Sequence, residues 1–195
     1  MAKNLQSFDI PVFLIDSNSH SIETAKNQEL PAASGNVFSQ EFLDQIEFSE
    51  LGHLVALTAN DEVNAFAEKL LNSHMADPNT FHLKPVGNVR SPFGDSDKNN
   101  ITPLFSDRVD YMVLEALFAN GARFETKTLT KDYDWTAFQS EPPDTKLPLF
   151  SITQNKKVSV FNSRKPPTPK VTDTVLYIEI PAAASELLLK QEITL

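Results

Sequence analysis

The chain has 195 residues, of which 41% are hydrophobic and 22% charged, with a formal net charge of -9 and no cysteine. This length is enough for one sizeable core or two small ones. The acidic balance and the scattered Lys and Arg disfavour a nucleic-acid surface, which needs clustered basic residues. The lack of cysteine excludes disulfides, thiolate metal sites and cysteine nucleophiles. No apolar run approaches the ~20 residues that cross a bilayer, and no signal-peptide pattern opens the chain, so we expect a cytosolic protein that does not insert into a membrane.

The first third of the chain alternates short apolar runs with helical patterns. Continuous apolar runs of this length are typical of parallel strands that are covered on both faces. The predicted elements are strands at residues 12–16, 30–36 and 54–58 and helices at residues 19–30 and 39–48.

The best-defined helix follows the third predicted strand. Asn60 can cap its first turn, where Asp61 and Glu62 are favoured by the helix dipole. Its apolar positions repeat at helical spacing and predict one buried face, formed by Val63, Phe66, Ala67, Leu70 and Leu71. A further strand is predicted at residues 80–83, and the Gly-, Pro-, Asn- and Asp-rich stretch after it is typical of a loop or linker.

The pattern changes in the second half of the chain. Ser106 or Asp107 is expected to cap a helix that ends at Gly121. Beyond it, short runs punctuated by prolines predict a small, mostly antiparallel β unit. Its strands are ARFETKTLT, LPLFSIT, KVSVFN and DTVLYIEI, and residues 182–190 predict a last helix.

Several of these pieces, taken in order, resemble the TrkA-N or RCK type of regulatory Rossmann domain found on bacterial potassium channels and cation/proton antiporters. The matching residues are LIDSN, SGNVFS and LVALTANDEVNAFA. Downstream, residues 105–121 with ARFETKTLTKDYDW, LPLFSIT and PKVTDTVLYIEI resemble the cytosolic tail of bacterial monovalent cation/proton (sodium/hydrogen) antiporters. The resemblance covers roughly residues 2–180.

By this resemblance the chain begins inside the first helix of a Rossmann fold. The first strand and the glycine-rich turn that hold the pyrophosphate are then expected to be missing, and no glycine precedes Gly35. That strand is central in this fold, so we expect the strands at residues 12–16 and 54–58 either to pair directly or to be shielded in a homodimer.

The predicted architecture is therefore α/β in two domains. Residues 1–84 form an incomplete Rossmann-like (TrkA-N/RCK) domain with a truncated parallel sheet, and residues 85–104 form a linker. Residues 105–195 form a helix and a small, β-rich α+β domain.

The candidate nucleotide-binding residues lie where predicted strands end. An acid such as Asp16 can accept hydrogen bonds from ribose hydroxyls, and the alternative is a turn-forming Asp. The resemblance adds Asn18 for the ribose and Asn36 near the base, where the family usually has Asp; a Gly-Asn turn is the alternative. Thr58 and Asn60 line the pocket by resemblance only, because helix capping explains Asn60.

The other candidates for chemistry favour structural roles. His20, His53, His74 and His82 show no metal-ligand spacing and are expected on the surface or in loops. Asp132 and Asp134 could form an acid pair, but a loop that anchors Trp135 in the core is the favoured interpretation. We expect neither a catalytic nor a metal site.

The sequence thus favours a non-catalytic regulatory module of a bacterial cation/proton antiporter. By the resemblance it is a homodimer at the inner face of the bacterial inner membrane and acts on the membrane-embedded antiporter portion. Its cofactor in an intact domain is NAD(H) or an adenine nucleotide, and we expect weak or no binding by this chain. The alternatives are a stand-alone dimerisation or scaffold module and a soluble NAD-dependent oxidoreductase, which would need a glycine-rich loop and a proton-transfer set.

Overall fold

The structure, a computed structural model, describes residues 1–48, 51–72, 79–86, 103–142 and 144–189, with side chains to residue 67 in the helix that ends at residue 72. Two compact units are present, Met1–Leu54 with Phe66–Thr80 and Val55–Ala65 with Phe81–Leu195. The fold is mixed α/β, with a parallel strand pair in the first unit and an antiparallel sheet in the second, which confirms the predicted fold class. Most of the predicted linker at residues 85–104 lies outside the described residues, as does His74.

The first unit begins with α1 (Ala2–Gln6), β1 (Leu14–Asp16), α2 (Ser19–Asn27), β2 (Ala32–Ser34) and α3 (Gln40–Leu43). β1 and β2 pair in parallel, with Asp16 opposite Ser34. Helix α2 connects them, is capped by the Asn18 side chain and buries Ile22 and Ala25. This is the strand–helix–strand arrangement that the alternating sequence pattern predicts.

A small hydrophobic cluster stabilises the first unit. Leu43 and Phe48 are buried in it, and Phe42 packs against them. The Ser39 side chain caps α3 through the Phe42 N–H, but the helix is shorter than the one predicted over residues 39–48. It ends at Leu43, beyond which the chain turns and brings Phe48 back against Leu43.

The chain then forms β3 (His53–Ala56), α4 (Asp61–Asn72) and β4 (Asn79–His82). β3 and β4 pair with each other, and β1 and β2 form a separate two-stranded sheet. The direct pairing expected between the strands at residues 12–16 and 54–58 is therefore not found in the described part of the chain. The predicted cap of α4 is confirmed, because Asn60 Oδ1 accepts the N–H groups of Glu62 and Val63 at 2.9 and 3.1 Å.

Helix α5 (Tyr111–Ala119) opens the second half of the chain, and its cap differs from the prediction. Asp110 Oδ1 accepts the Val113 N–H at 2.8 Å, so neither Ser106 nor Asp107 is the cap. Ser106 instead accepts the Arg108 N–H in a local turn. The predicted stop is confirmed: the chain passes beyond the helix at Gly121, whose φ of +89° is readily adopted by glycine.

A four-stranded antiparallel sheet forms the core of the second unit. Its strands are β5 (Arg123–Thr128), β6 (Lys146–Ile152), β7 (Val158–Val160) and β8 (Thr174–Glu179), in the order β5-β8-β6-β7. The central position of β8 explains why Val175 and Leu176 are fully buried. Pro148 lies at a register irregularity of β6, where a missing N–H is tolerated.

A short helix that the sequence did not predict follows the loop at residues 131–134. α6 (Trp135–Ser140) is capped by Asp134, whose Oδ1 accepts the Ala137 N–H at 2.9 Å. Trp135 packs against a buried cluster that includes Phe138 and Tyr177. The predicted loop before Trp135 and the predicted anchoring of Trp135 in the core are thus confirmed, whereas the helix that begins at Trp135 was not predicted.

The predicted last helix over residues 182–190 is interrupted. A single 3-10 turn, Ala182–Ala184, precedes α7 (Glu186–Leu189), and the residues beyond 189 lie outside the described part. The Ser185 hydroxyl donates to the Ala182 carbonyl at 2.8 Å, a side-chain bond that competes with helical pairing. Within the described ranges, no helix combines the length and the apolar content needed to cross a bilayer.

Candidate functional site

Asp16 and Asn18 stand at the carboxyl end of β1, where the sequence predicts ribose contacts. Asp16 Oδ1 accepts the Asn18 N–H at 2.9 Å, which is the local turn considered as the alternative. Asn18 Oδ1 in turn accepts the N–H groups of His20 and Ser21 at 3.0 and 3.4 Å. Both side chains are exposed. Asp16 Oδ2 has no hydrogen-bond partner among the described residues, so one carboxylate oxygen faces solvent.

Asn36 is brought to the same edge by the parallel pairing of β1 with β2. The Gly35 N–H donates to the Asp16 carbonyl at 3.1 Å and extends the pairing by one residue beyond Ser34. Asn36 is exposed, and its Oδ1 accepts the Phe38 N–H at 2.9 Å. The Gly-Asn turn is therefore present, and it leaves the amide Nδ2 of Asn36 at the surface.

Together these three residues form a strand-end cluster, which we define as Asp16, Asn18 and Asn36. The cluster presents one carboxylate oxygen and two amide groups at the carboxyl edge of a parallel pair, where open α/β folds bind ligands. Such groups can accept from and donate to sugar hydroxyls. Asp16, Asn18 and Asn36 do not by themselves supply an acid, a base and a nucleophile for bond-breaking chemistry.

Thr58 and Asn60 belong to the second unit, in a turn organised by a residue that sequence reasoning missed. Asn64 is fully buried, and its Oδ1 accepts the Thr58 N–H at 3.0 Å while its Nδ2 donates to the Thr58 carbonyl at 2.9 Å. The Thr58 hydroxyl lies 2.7 Å from Asn64 Oδ1 and accepts the Asn60 N–H at 3.2 Å. These bonds end β3 at Ala56, two residues before the predicted end. The sequence cue was an Asn on the buried face of a helix, four residues after its cap.

Two of the three described histidines are placed differently from the prediction, and the first of these, His53, is half-buried at the start of β3. His20 is exposed, but His82 is 1% exposed within β4, and its Nδ1 lies 2.8 Å from the Leu83 carbonyl oxygen. The interpretation of His82 as a surface or loop residue is therefore wrong, because the strand directs its ring inward. Across the described residues, no group of three His, Asp or Glu side chains is arranged to hold a metal ion.

A second polar group, in the second unit, was also missed by sequence reasoning. Lys146 forms an ion pair with Glu141, which also accepts a hydrogen bond from the Tyr133 hydroxyl. Lys146 Nζ lies 5.0 and 5.3 Å from the ring centroids of Phe138 and Tyr177. The only sequence cue was the Asp134 cap, which starts the helix between Tyr133 and Glu141.

The protonation of this group opposes a nucleophilic role for Lys146. Burial alone lowers the pKa of Lys146, but its hydrogen bonds to Glu141 and Tyr133 outweigh burial and raise the pKa. The hydrogen bond from Lys146 lowers the pKa of Glu141, and burial together with Glu141 raises the pKa of Tyr133. At neutral pH the lysine is therefore charged and not a nucleophile.

The chain carries its negative charge unevenly. Residues 1–86 contain 12 Asp and Glu against 4 Lys and Arg, whereas residues 87–195 contain 14 against 13. The region that holds the strand-end cluster is thus the acidic one. Its field opposes the approach of a phosphate-bearing ligand.

Comparison with known proteins bears on the N-terminal region. Residues 1–82 match the TrkA-N domain. This region is similar to a TrkA-N domain, and it contains β1 to β4 and the strand-end cluster. No curated protein matches the chain. Among solved structures, a crystal structure of the GsuK RCK domain is similar over 92% of this chain and 45% of that chain, with 10% sequence identity and a TM-score of 0.27. The chain therefore spans less than half of the length of that chain.

Proposed function

We propose that the N-terminal region is a regulatory domain of the nucleotide-binding type, and that the strand-end cluster contacts the ribose of NAD(H) or an adenine nucleotide. The observation that carries this proposal is the position of Asp16 at the end of β1, beside Asn36, within a region similar to the TrkA-N domain. Domains of this type typically bind NAD(H) or nucleotides. The exposed Oδ2 of Asp16 is the acceptor for the ribose hydroxyls.

Regulation follows from linkage between binding and conformation. A nucleotide that binds one arrangement of the domain more tightly than another shifts the population by its differential affinity. We propose that the process regulated in this way is transport by a bacterial cation/proton antiporter. The domain then acts as a homodimer at the cytosolic face of the membrane and contacts the membrane-embedded portion of the transporter. It is not an enzyme.

The expected affinity for nucleotide is low. Thr58 and Asn60, which the sequence predicts to line the pocket, are engaged in the Asn64 turn, and the region that holds the strand-end cluster is acidic. We therefore expect NADH to bind in the micromolar range or weaker, and a submicromolar dissociation constant would contradict this part of the proposal.

The test is isothermal titration calorimetry with NADH and NADPH on the wild type and the Asp16→Asn variant. The amide keeps the Oδ1 acceptor of the local turn but removes the charge, so NADH binding should weaken about tenfold or more. The Asp16 carboxylate also repels the 2′-phosphate of NADPH. The ratio of the NADPH dissociation constant to the NADH dissociation constant should therefore be smaller in the variant than in the wild type.

The matched control is Glu23→Gln, which removes an exposed carboxylate from α2 in the same unit. It should leave both affinities unchanged. An Asp16→Asn variant with unaltered affinity and unaltered NADH preference would exclude Asp16 as the ribose contact.

A stand-alone dimerisation module is the second candidate function, and α5 favours it. Met112 and Phe118 on this helix are 61% and 38% exposed, so the helix presents two large apolar side chains to which another protein surface could pack. Light scattering with and without NADH separates the candidates. A dimer whose stability does not respond to nucleotide favours the dimerisation module over the regulatory domain.

A further inference from the structure

Three loops of the second unit meet at one end of the antiparallel sheet. Thr174, the first residue of β8, pairs with Thr128 at the end of β5 and with Ile152 at the end of β6. Ile152 also pairs with Val158, the first residue of β7. The strand register therefore brings together the loop segments that adjoin these strand ends, which are residues 129–134, 153–157 and 170–173. We call these three segments, together with Lys127 of β5, the lysine-rich end of the sheet.

The lysine-rich end carries a positive charge in a chain whose net charge is -9. It holds five lysines against three aspartates, and these are Lys127, Lys131, Lys156, Lys157 and Lys170 against Asp132, Asp134 and Asp173. Neighbouring strands lie about 4.8 Å apart, so the four strand ends span roughly 15 Å. The Debye length at 0.1 M salt is about 10 Å, and the lysines therefore act together on a charged surface that approaches them.

Three of these lysines are available to a partner. Lys131, Lys157 and Lys170 are exposed, and within the described part of the chain their ammonium groups make no ion pair or hydrogen bond. Lys127, by contrast, lies over the ring of Tyr133, 4.6 Å from its centroid. An anionic surface can therefore contact three ammonium groups without breaking an existing ion pair.

The turn that follows Lys170 exposes an apolar side chain. The Asp173 N–H donates to the Lys170 carbonyl at 3.0 Å, and Asp173 Oδ2 accepts the Lys170 N–H at 2.8 Å. The Thr172 N–H donates to the Leu129 carbonyl at 2.9 Å, which ties the turn to the neighbouring loop. Thr172 has a φ of +83°, which a β-branched residue rarely adopts. These contacts hold out Val171, which is 40% exposed, directly beside Lys170.

The combination of free lysines and an exposed apolar side chain favours a lipid surface as the partner. Anionic headgroups attract lysines close to the membrane surface, and an apolar side chain gains free energy at the boundary between headgroups and acyl chains. The phosphate backbone of a nucleic acid offers the charge but no apolar layer behind it. An anionic bilayer supplies both in one continuous surface.

We propose that the lysine-rich end binds peripherally to an anionic membrane surface. Lys131, Lys157 and Lys170 contact the headgroup phosphates, and Val171 lies at the boundary with the acyl chains. This contact goes beyond the proposed function. It requires no nucleotide, so it holds or fails independently of binding at the strand-end cluster.

The experiment is co-sedimentation of the full chain with vesicles in the absence of nucleotide. Vesicles of phosphatidylcholine alone are compared with vesicles in which phosphatidylglycerol replaces a third of the lipid. We expect saturable binding to the anionic vesicles at about 50 mM NaCl. Binding to the neutral vesicles, or to the anionic vesicles at about 500 mM NaCl, should be weaker by about tenfold or more.

Two variants separate the lysines from the apolar side chain. The triple variant Lys131→Gln, Lys157→Gln and Lys170→Gln should bind anionic vesicles about tenfold more weakly or worse, because one lysine near such a surface changes affinity by about fivefold. Val171→Ser keeps the charge and should weaken the same binding by about threefold or more.

The matched control replaces three exposed lysines outside the lysine-rich end, as Lys3→Gln, Lys26→Gln and Lys165→Gln. Its net charge equals that of the other triple variant, but it should bind anionic vesicles as the wild type does. Circular dichroism should show that every variant is folded.

Three results overturn the proposal. The first is no saturable binding of the wild type to anionic vesicles, and the second is an equal loss in both triple variants, which would assign binding to overall charge. The third is unchanged vesicle binding in Val171→Ser, which would make this end a general polyanion surface, suited to nucleic acid or an acidic protein.

Discussion

Asp16, Asn18 and Asn36 each use one side-chain oxygen for a local turn or cap. Each also has a second polar atom on an exposed side chain. The structural and the ligand-binding interpretations of these residues are therefore compatible. The local hydrogen bond fixes the side chain, so less conformational entropy is lost when a ligand binds the remaining atom.

Gly35 is required by its neighbour and not by its backbone conformation. A Cβ atom at this position would lie 2.2 Å from Phe42 Cε2, far inside the contact distance. We predict that Gly35→Ala lowers the free energy of unfolding by about 1–3 kcal/mol, because the Phe42 ring must leave its packed position. Urea denaturation measures the change.

Gly52→Ala provides the matched control for this prediction. Apart from its chain neighbours, a Cβ atom at Gly52 would meet no atom of the described residues within 4 Å. We expect this variant to have a free energy of unfolding within about 0.5 kcal/mol of the wild type. Similar losses in both variants would show that the effect comes from glycine flexibility and not from the Phe42 ring.

Glu141 makes the second unit sensitive to acid. Lys146 lowers the folded-state pKa of Glu141 below its ordinary value of 4.5, so the carboxylate contributes stability above that pH. The contribution is lost as the pH falls through the lowered pKa. We predict that Glu141→Gln is less stable than the wild type at pH 7, by about 1 kcal/mol or less because the pair is partly exposed.

The same comparison in strong acid is the check on this prediction. Once the wild-type carboxyl is protonated, urea denaturation should give the same free energy of unfolding for Glu141→Gln and the wild type. A stability difference that persists unchanged at low pH would show that the loss comes from packing and not from charge.

At the scale of elements, caps decide where the helices begin. Asn60 was predicted correctly because it directly precedes an acidic turn and a strong apolar repeat. The cap of α5 was misplaced because Ser106, Asp107 and Asp110 are all residues of the capping type, and Val109 is buried although it lies outside the helix. Sequence pattern therefore identifies a helix more reliably than its first residue.

Helix α6 was missed because its six residues are too few for a helical repeat to appear. Its one local cue is Asp134, which accepts the Ala137 N–H. We predict that Asp134→Ala lowers the free energy of unfolding by about 1 kcal/mol through loss of the cap.

Asp132→Ala is the control for the cap, since Asp132 is an exposed carboxylate only two residues away. It removes the same charge but no cap, so its effect on urea denaturation should be within about 0.5 kcal/mol. Equal effects of the two substitutions would mean that charge and not capping accounts for the change.

At the scale of the whole molecule, the uneven charge should change how salt affects nucleotide binding. The acidic residues of the N-terminal region repel NADH, and salt screens this repulsion over a Debye length of about 10 Å at 0.1 M. We predict that the dissociation constant for NADH falls when NaCl is raised from about 20 to about 200 mM. A rise over this range, as seen when basic residues hold the phosphates, would contradict the prediction.

The sequence predicts the α/β class and the positions of the strand-end cluster, because both depend on local patterns and on one parallel pairing. The aromatic cluster around Trp135 could not be predicted in this way. Trp135, Phe161 and Tyr177 come from three separate stretches of the chain, and only the folded sheet brings them together. The sequence pattern also could not predict that β3 pairs with β4 in a sheet separate from that of β1 and β2. Nothing in the apolar runs specifies which strands are neighbours.

One of the two interior strands of the antiparallel sheet, β8, is also its last strand in sequence. Arg123 of β5 pairs with Glu179 of β8, and β6 joins the other edge of β8. During synthesis on the ribosome, β5 and β6 therefore emerge well before the strand that unites them. The second unit is expected to fold late and in one step, when residues 174–179 leave the exit tunnel, and until then its apolar strands depend on chaperones for protection.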